Sequence, residues 1–540
     1  MNPYFLIKNG KVIDGSGNPW YKADVYVHDG RITHIERSLD IEADRTIDAK
    51  GMVVCPGFID THTHTDGTMF LDPKVESSIR QGITTQVIGN CGCGFAPVNP
   101  ERKAELESYV RRLLPVDLDS RWNTYGEYMY EMACCGCSTN IVPLITHGAV
   151  RIAVMGFENR APRPEELGSM KQLVSDGMEA GAFGFSTGLI YPPCIYAETP
   201  ELIELGKTVA EHNGIFSIHI RGEGNTLIPA INEALEISRK TGVRLHISHH
   251  KAAGRLNWGK TKKTLKMIED ARDDEVEVTF DQYPYIAGAT VLSTLLPPWT
   301  HEGGLKRLLE RLRDPDTRKK IKEEMQKQGE GWENMVYSTR WDSIYVSVLK
   351  TEENKRFEGR NIPEIKDMRG DADEFKTLFD LLLEEDGEVR MVVFSQDEAE
   401  MRQVMKHPLH MVGSDGRSVS PYGLLSIGKP HPRFYGTFPR FLGKYVREEK
   451  LLSLENAIRS ITSYPAQTFK IKSKGLLREN MDADIVIFDP DTIIDRSTYS
   501  DPHKFPLGID FVLVNGEIVV ENGEHTGAIP GEIIKFSSIF

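Results

Sequence analysis

A chain of 540 residues exceeds a typical domain about threefold, so it forms either one large domain with appendages or several domains. With 40% apolar and 27% charged residues it has an ordinary globular composition, and its net charge of −14 argues against nucleic acid or an anionic membrane as partner. No apolar run approaches the ~18 residues that span a bilayer, the N-terminus has no signal-peptide pattern, and an odd count of seven cysteines suits a reducing compartment, so the expected location is cytoplasmic.

Residues 1–55 alternate short β-type runs with turn dipeptides. Asn9-Gly10 between Phe5–Ile7 and Val12-Ile13, and Asp29-Gly30 between Val25–Val27 and Ile32, both read as hairpins. Asp484–Phe488, Phe511–Val514 and Ile518–Val520, with Asn515-Gly516, repeat the pattern at the other end. Neither end is long enough for a stable sheet alone, so 1–55 and 475–540 are expected to form one small β-sandwich domain.

Between them, over 56–474, strand-like runs alternate with amphipathic ones such as Pro164–Ala180, Ile231–Thr241 and Thr261–Arg272. Eight strand candidates end near His62–His64, Asn90, Thr146, Thr187, His219, His249, Phe280 and Asp415. This predicts an α/β chain of the (β/α)8 TIM-barrel type, whose functional residues gather at the C-terminal strand ends. The gap between strands 7 and 8 is about 130 residues, far more than one helix needs. It carries the charged helical run Leu305–Gln328 and an inserted subdomain at about 290–345.

Those strand ends hold His62 and His64 (strand 1), Cys91 (strand 2), His219 (strand 5), His249 (strand 6) and Asp415 (strand 8). All are zinc-ligand types, and a barrel would bring them together. Strict alternation points His62 and His64 to one face and turns His246 and His250 away from His249. Each has a plainer reading: a strand-end histidine, a buried free thiol, a helix-capping aspartate. Cys134-Cys-Gly-Cys137 fits no zinc spacing, and Asp60 and Asp66 are left out of the ligand set.

Pro56-Gly-Phe-Ile-Asp-Thr-His-Thr-His64 resembles the opening motif of the amidohydrolase superfamily. Gly-Asn-Cys91-Gly, Ile-Ser-His249-His-Lys251, Asp281-Gln-Tyr283-Pro-Tyr285, Gly-Ser-Asp415-Gly and His431-Pro-Arg433 are similar to its D-aminoacylase (N-acyl-D-amino-acid deacylase) branch. The resemblance implies Cys91, His219 and His249 as ligands of a tightly held zinc, with His62 and His64 at a second, weaker position. It implies Asp415 as catalytic carboxylate, and Lys251, Tyr283 and Arg433 as the residues holding the substrate's α-carboxylate. Related branches carry a lysine at the end of strand 4, where this chain has Phe185-Ser-Thr. The loop Gly416–Pro430 departs from the pattern in length, which leaves the accepted side chain open.

Physical chemistry leads to the same reaction. Zinc lowers the pKa of a bound water from about 15.7 to roughly 7, and a neighbouring carboxylate can take a proton and return it to a departing amine. The expected substrate is a small N-acyl-amino acid, of D configuration by the resemblance alone. A hydrolase of cyclic amides (hydantoins, dihydropyrimidines, lactams) and a non-catalytic scaffold are the alternatives. The sequence assigns no oligomeric state.

Overall fold

The computed structural model describes residues 4–111 and 120–537. Five strands come first: β1 (Phe5–Val12), β2 (Tyr21–His28), β3 (Arg31–Glu36), β4 (Arg45–Asp48) and β5 (Val53–Pro56). β2 and β3 form the hairpin at Asp29-Gly30, with His28 opposite Arg31. Asn9-Gly10 is not a hairpin turn. β1 runs straight through it, with Asn9 at φ 64° and a register shift between Ile7 and Gly10, so the dipeptide makes a bulge. Glycine suits that place because a Cβ on residue 10 would lie 2.5 Å from Val54 Cγ2.

Parallel strands follow: β6 (Phe58–Asp60), β7 (Ile83–Ile88), β8 (Asn140–Pro143), β9 (Ile145–Thr146), β10 (Gly184–Gly188), β11 (Ile215–His219), β12 (Arg244–Ile247) and β13 (Val278–Gln282). β6, β7 and β8 are neighbours in one sheet, and β9 to β13 are neighbours in a second. β8 and β9 continue one another across Leu144, whose N–H donates to the Ile88 carbonyl at 3.1 Å. Helices Pro164–Ala180, Leu227–Thr241 and Thr261–Asp273 cover the outside, packing Met170, Ile231 and Ile268 in one apolar core with Phe185, Phe216 and Leu245. Burial on both faces explains why these strands are apolar runs with polar C-terminal ends.

β14 (Ala287–Val291), β15 (Ile344–Val348) and β16 (Arg390–Phe394) form an antiparallel sheet in the order β14-β16-β15, above a core running from Leu292 to Val393. The inserted unit therefore extends past the expected 290–345 as far as Phe394. The run Leu305–Gln328 is two helices, Gly304–Arg313 and Pro315–Met325, because Pro315 has no N–H to continue the first. Asp314 caps the second, its Oδ2 accepting from Thr317 N at 2.9 Å.

β17 (His410–Val412) then pairs with β13. Just beyond it, Asp415 N donates to the His62 carbonyl at 2.8 Å and His64 N to the Gly416 carbonyl at 2.6 Å, so the last parallel strand meets the first. β18 (Ile485–Phe488), β19 (Ile509–Val514), β20 (Glu517–Glu521) and β21 (Glu524–His525) join β1–β5 in one nine-stranded sheet through the antiparallel pair β5–β18. Alternate residues of that pair serve different cores. Val54, Ile485 and Ile487 pack with the β1–β3 side chains, whereas Val53, Val486 and Phe488 pack with Phe58 of β6. Residues 530–536 leave the sheet and run beside β8, where Ile141 N donates to the Glu532 carbonyl at 2.8 Å. Among the described residues no helix is long and apolar enough to cross a membrane.

Candidate metal centre

Each candidate ligand sits just where a parallel strand gives way to a turn. After β6, Thr63 N donates to the Val87 carbonyl at 3.0 Å and Asp60 Oδ1 accepts from His62 N at 3.1 Å, which presents His62 and His64 at the strand mouth. After β7 the chain turns through Gly89 (φ 76°) and Cys91 (φ 53°). Ser186 of β10 braces that turn, donating to the Gly89 carbonyl and accepting from Gly92 N at 3.1 Å. His219 is the last residue of β11. His249 lies two residues beyond β12 at φ 36°, and Asp415 follows β17 at φ 48°.

These turns bring four ligand atoms together. Cys91 Sγ is 3.2 Å from His62 Nε2 and 3.6 Å from both His219 Nδ1 and His249 Nε2. A tetrahedral ion with sulfur at about 2.3 Å and nitrogen at about 2.1 Å requires S···N separations of about 3.6 Å. His62, His64 and Cys91 form a second close triad that shares the thiol with the first. Burial holds His219 well below the usual imidazole range, and burial together with nearby Lys251 lowers His249, so both present neutral rings with free lone pairs. His219 Nε2 has no hydrogen-bond partner among the described residues. Burial also pushes the Cys91 thiol well up, so a cation must accompany its thiolate. The donor set therefore fits a soft divalent metal.

Asp415 lies beside this cluster. Its Oδ1 is 3.2 Å from His64 Nε2 and 3.6 Å from His62 Nε2, while Oδ2 is 2.9 Å from Arg433 Nη1. Burial opposes its ionisation, but Arg433 and then His64 outweigh that and hold the carboxyl well below its ordinary value. Tyr283 is buried beneath two cations, with the Arg433 guanidinium 4.7 Å and Lys251 Nζ 5.6 Å from its ring centre. Lys251 is itself committed to protein partners. Its Nζ lies 2.5 Å from Glu223 Oε1 and 2.7 Å from the His249 carbonyl. Glu223 Oε1 is also 2.8 Å from His249 Nδ1, so one carboxylate orients the ring and meets the ammonium charge. Burial opposes the charge on Lys251, but Glu223 raises it to about 12.

Glu223 was not among the residues singled out from sequence, and Asp281 stood there only as part of a motif, with no role of its own. Asp281 Oδ1 accepts from His249 N at 2.5 Å, and its Oδ2 is 2.8 Å from His246 Nε2 and 3.4 Å from His62 Nδ1. It ties the His62 ring to the His249 backbone behind the candidate ligands. The available signal was a carboxylate at the end of a strand. His246 corrects the alternation argument, since it points inward to Asp281 and not away from the site. His250 does turn outward, its Nε2 2.9 Å from Thr264 Oγ1. Asp60 and Asp66 hold backbone N–H groups of the turns (Ser414 N at 2.9 Å and Gly89 N at 2.7 Å), and burial raises both to about 7. Of the Cys134–Cys137 group, Cys134 is exposed, whereas Cys135 faces the Met69 carbonyl and Cys137 faces Thr139.

His64, Cys91, Asp415 and Arg433 line one cavity of about 90 Å³. Tyr191, Val291, Val348 and Arg390 are shared between it and a larger cavity of about 270 Å³, to which Leu424 and Ile427 of the loop 416–430 contribute.

Residues 45–520 match the amidohydrolase family. The chain is 34% identical to an N-acyl-D-aspartate deacylase of Alcaligenes xylosoxydans xylosoxydans, over 98% of this chain and 94% of that protein. It is 33% identical to an N-acyl-D-glutamate deacylase of the same organism, over 98% and 96%. Among solved structures, an N-acyl-D-glutamate deacylase from Bordetella bronchiseptica, complexed with zinc and a phosphonate mimic of the tetrahedral intermediate, superposes with a TM-score of 0.83 at 32% identity. That match covers 99% of this chain and 100% of the other.

Proposed function

The chain belongs to the D-aminoacylase branch of the amidohydrolase family, and we propose that it hydrolyses the amide bond of N-acyl-D-amino acids with the help of zinc. The observation that carries this reading is the meeting of Cys91 with three imidazoles at metal-ligand separations, at the edge of a cavity that Cys91 and an ionised Asp415 both line. We read β6 to β13 and β17, eight parallel strands with β8 and β9 counted as one and β17 joined back to β6, as a closed (β/α)8 barrel whose mouth is this cavity.

Cys91, His219 and His249 would hold the tighter zinc, and His62 and His64, sharing Cys91, a second and weaker one. When bound, zinc supplies Lewis acidity toward water and toward the scissile carbonyl. Everything else falls to side chains of this chain. Arg433 fixes Oδ2 of Asp415, which leaves Oδ1 facing the imidazoles as the atom that takes a proton from the attacking water. The same oxygen returns that proton to the leaving nitrogen, without which the tetrahedral intermediate would collapse backwards. Arg433, with Tyr283 and Lys251 behind it, offers a cationic wall for the carboxylate beside the amide. Glu223 and Asp281 act on the ligands by orienting His249 and His62.

Zinc-loaded enzyme assayed on paired N-acetyl-D- and N-acetyl-L-amino acids, with hydantoin alongside, tests the reaction class. Turnover confined to the D series is expected; turnover of hydantoin alone would sink the proposal. Cys91→Ala is expected to lose the metal that survives dialysis, and unchanged zinc content would remove Cys91 from the ligand set.

A further inference from the structure

Arg390 begins β16, the central strand of the inserted sheet, between Val291 of β14 and Val348 of β15. It lines both cavities, and the smaller of them also holds Cys91, Asp415 and Arg433. Its Nη2 donates to the Arg111 carbonyl at 3.3 Å. Its Nη1 is shut off from bulk solvent and has no hydrogen-bond partner among the described residues. Glu388, two residues away, is engaged by other cations, Arg111 at 3.5 Å and Lys350 at 3.7 Å. The other buried cations of the site are met within the protein, Arg433 by Asp415 and Lys251 by Glu223. Burial pulls the Arg390 guanidinium down to about 10, which leaves it charged at neutral pH. Arg390 as a whole is half-buried, and its enclosed Nη1 has no acceptor, a position that an anion entering the cavity would complete.

We propose that Arg390 is a specificity-determining residue that receives a second carboxylate of the substrate, separate from the one beside the amide. The assignment rests on the deacylase reading above. Two sources present such a group: an aspartate- or glutamate-type side chain, or a dicarboxylic acyl chain. Both place a planar anion where a guanidinium can bind it through two N–H groups.

The experiment uses zinc-loaded, full-length enzyme and compares kcat/KM within two pairs. N-acetyl-D-glutamate against N-acetyl-D-glutamine reads the side chain, and N-succinyl-D-methionine against N-acetyl-D-methionine reads the acyl chain. The acidic member of one pair is expected to win by about tenfold or more, because an enclosed N–H left without its acceptor disfavours the analogue lacking the carboxylate. Arg390→Met is expected to abolish that preference while leaving N-acetyl-D-methionine within about threefold of the parent, and Arg390→Lys to keep part of it. The pair that responds identifies the source of the carboxylate. No preference in the parent enzyme, or equal losses on all four substrates, overturns the assignment. Calorimetry with D-glutamate and D-glutamine, and with succinate and succinamate, separates this from failure of the deacylase reading. Tighter dicarboxylate binding that depends on Arg390 sustains the site even in a chain that turns over none of the four. Equal binding within both pairs overturns it.

Discussion

The Arg433 guanidinium lies 2.9 Å from Asp415 Oδ2 and 4.7 Å from the Tyr283 ring centre, so one cation serves both the proposed base and the proposed carboxylate wall. Read as an isolated arginine, it suggests a purely binding role, with losses confined to KM. The pair implies more. An opposite charge in contact lowers a carboxyl by roughly one to three pKa units, so removing it raises Asp415. Since the base must be ionised, the acid limb of the kcat–pH profile of Arg433→Ala should move to higher pH, by about one unit or more. Its kcat should fall even on amides without a carboxylate. An unmoved acid limb would show that the pair is not coupled. The candidate residues were legible in the sequence, because side chains of metal-ligand type and a carboxylate at strand ends are rare enough to stand out. The partnerships were not. Asp415–Arg433 and Glu223–Lys251 join positions separated by loops or whole strand–helix units, and only the fold sets their distance.

Three of the six side chains around the cluster, Cys91, His249 and Asp415, take left-handed backbone at φ 53°, 36° and 48°. Non-glycine residues adopt that conformation at an energetic cost, and such strain concentrates at functional turns. It also explains where strand arithmetic fails. Alternation holds within β12, where His246 faces inward, but the chain leaves the strand after Ile247 and the left-handed turn swings His249 back to the same side. The positions of the parallel strands were readable from apolar runs with polar ends; the orientation of residues past those ends was not. Ser186 shows how such a turn is held. Its hydroxyl joins the Gly89 carbonyl to Gly92 N on either side of Cys91, from the strand that in related branches carries a lysine. Ser186→Ala leaves a buried N–H and a buried carbonyl short of a partner, a loss of about 1–3 kcal/mol. The urea midpoint should fall accordingly, and zinc retained after dialysis should fall with it, because the thiol loses its fixed position. A variant with full stability and full zinc content would make the brace irrelevant.

At the scale of the whole chain, three units meet around the mouth of the parallel strands. The nine-stranded sheet meets β6 through Phe488, edge-on at 6.5 Å to Phe58, and Phe438 of the helix Arg433–Arg440 stacks on the same ring at 5.8 Å. The pairing of β5 with β18 that makes this possible joins residues more than 400 positions apart, and no local pattern announces it. The inserted unit packs against loops that follow the parallel strands. Its last strand, Arg390–Phe394, reads locally like another parallel strand, and only antiparallel pairing with β14 and β15 assigns it to the insertion. The contact between insertion and parallel strands includes a buried acid. Glu333 Oε2 accepts from Glu223 N at 2.7 Å, and burial, reinforced by the Glu223 charge, raises Glu333 to about 7. A glutamate whose folded value lies above its unfolded one contributes stability that is complete below about 4.5 and is lost as pH rises through about 7. The difference corresponds to something on the order of 3 kcal/mol. Glu333→Gln keeps an acceptor for Glu223 N and cannot ionise. It should therefore match the parent near pH 4.5 and gain on it steadily toward pH 8, as measured by urea midpoints across that range. A constant offset at every pH would mean that Glu333 binds its proton equally well in the folded and the unfolded chain, and that the insertion is held against the strands without help from its protonation.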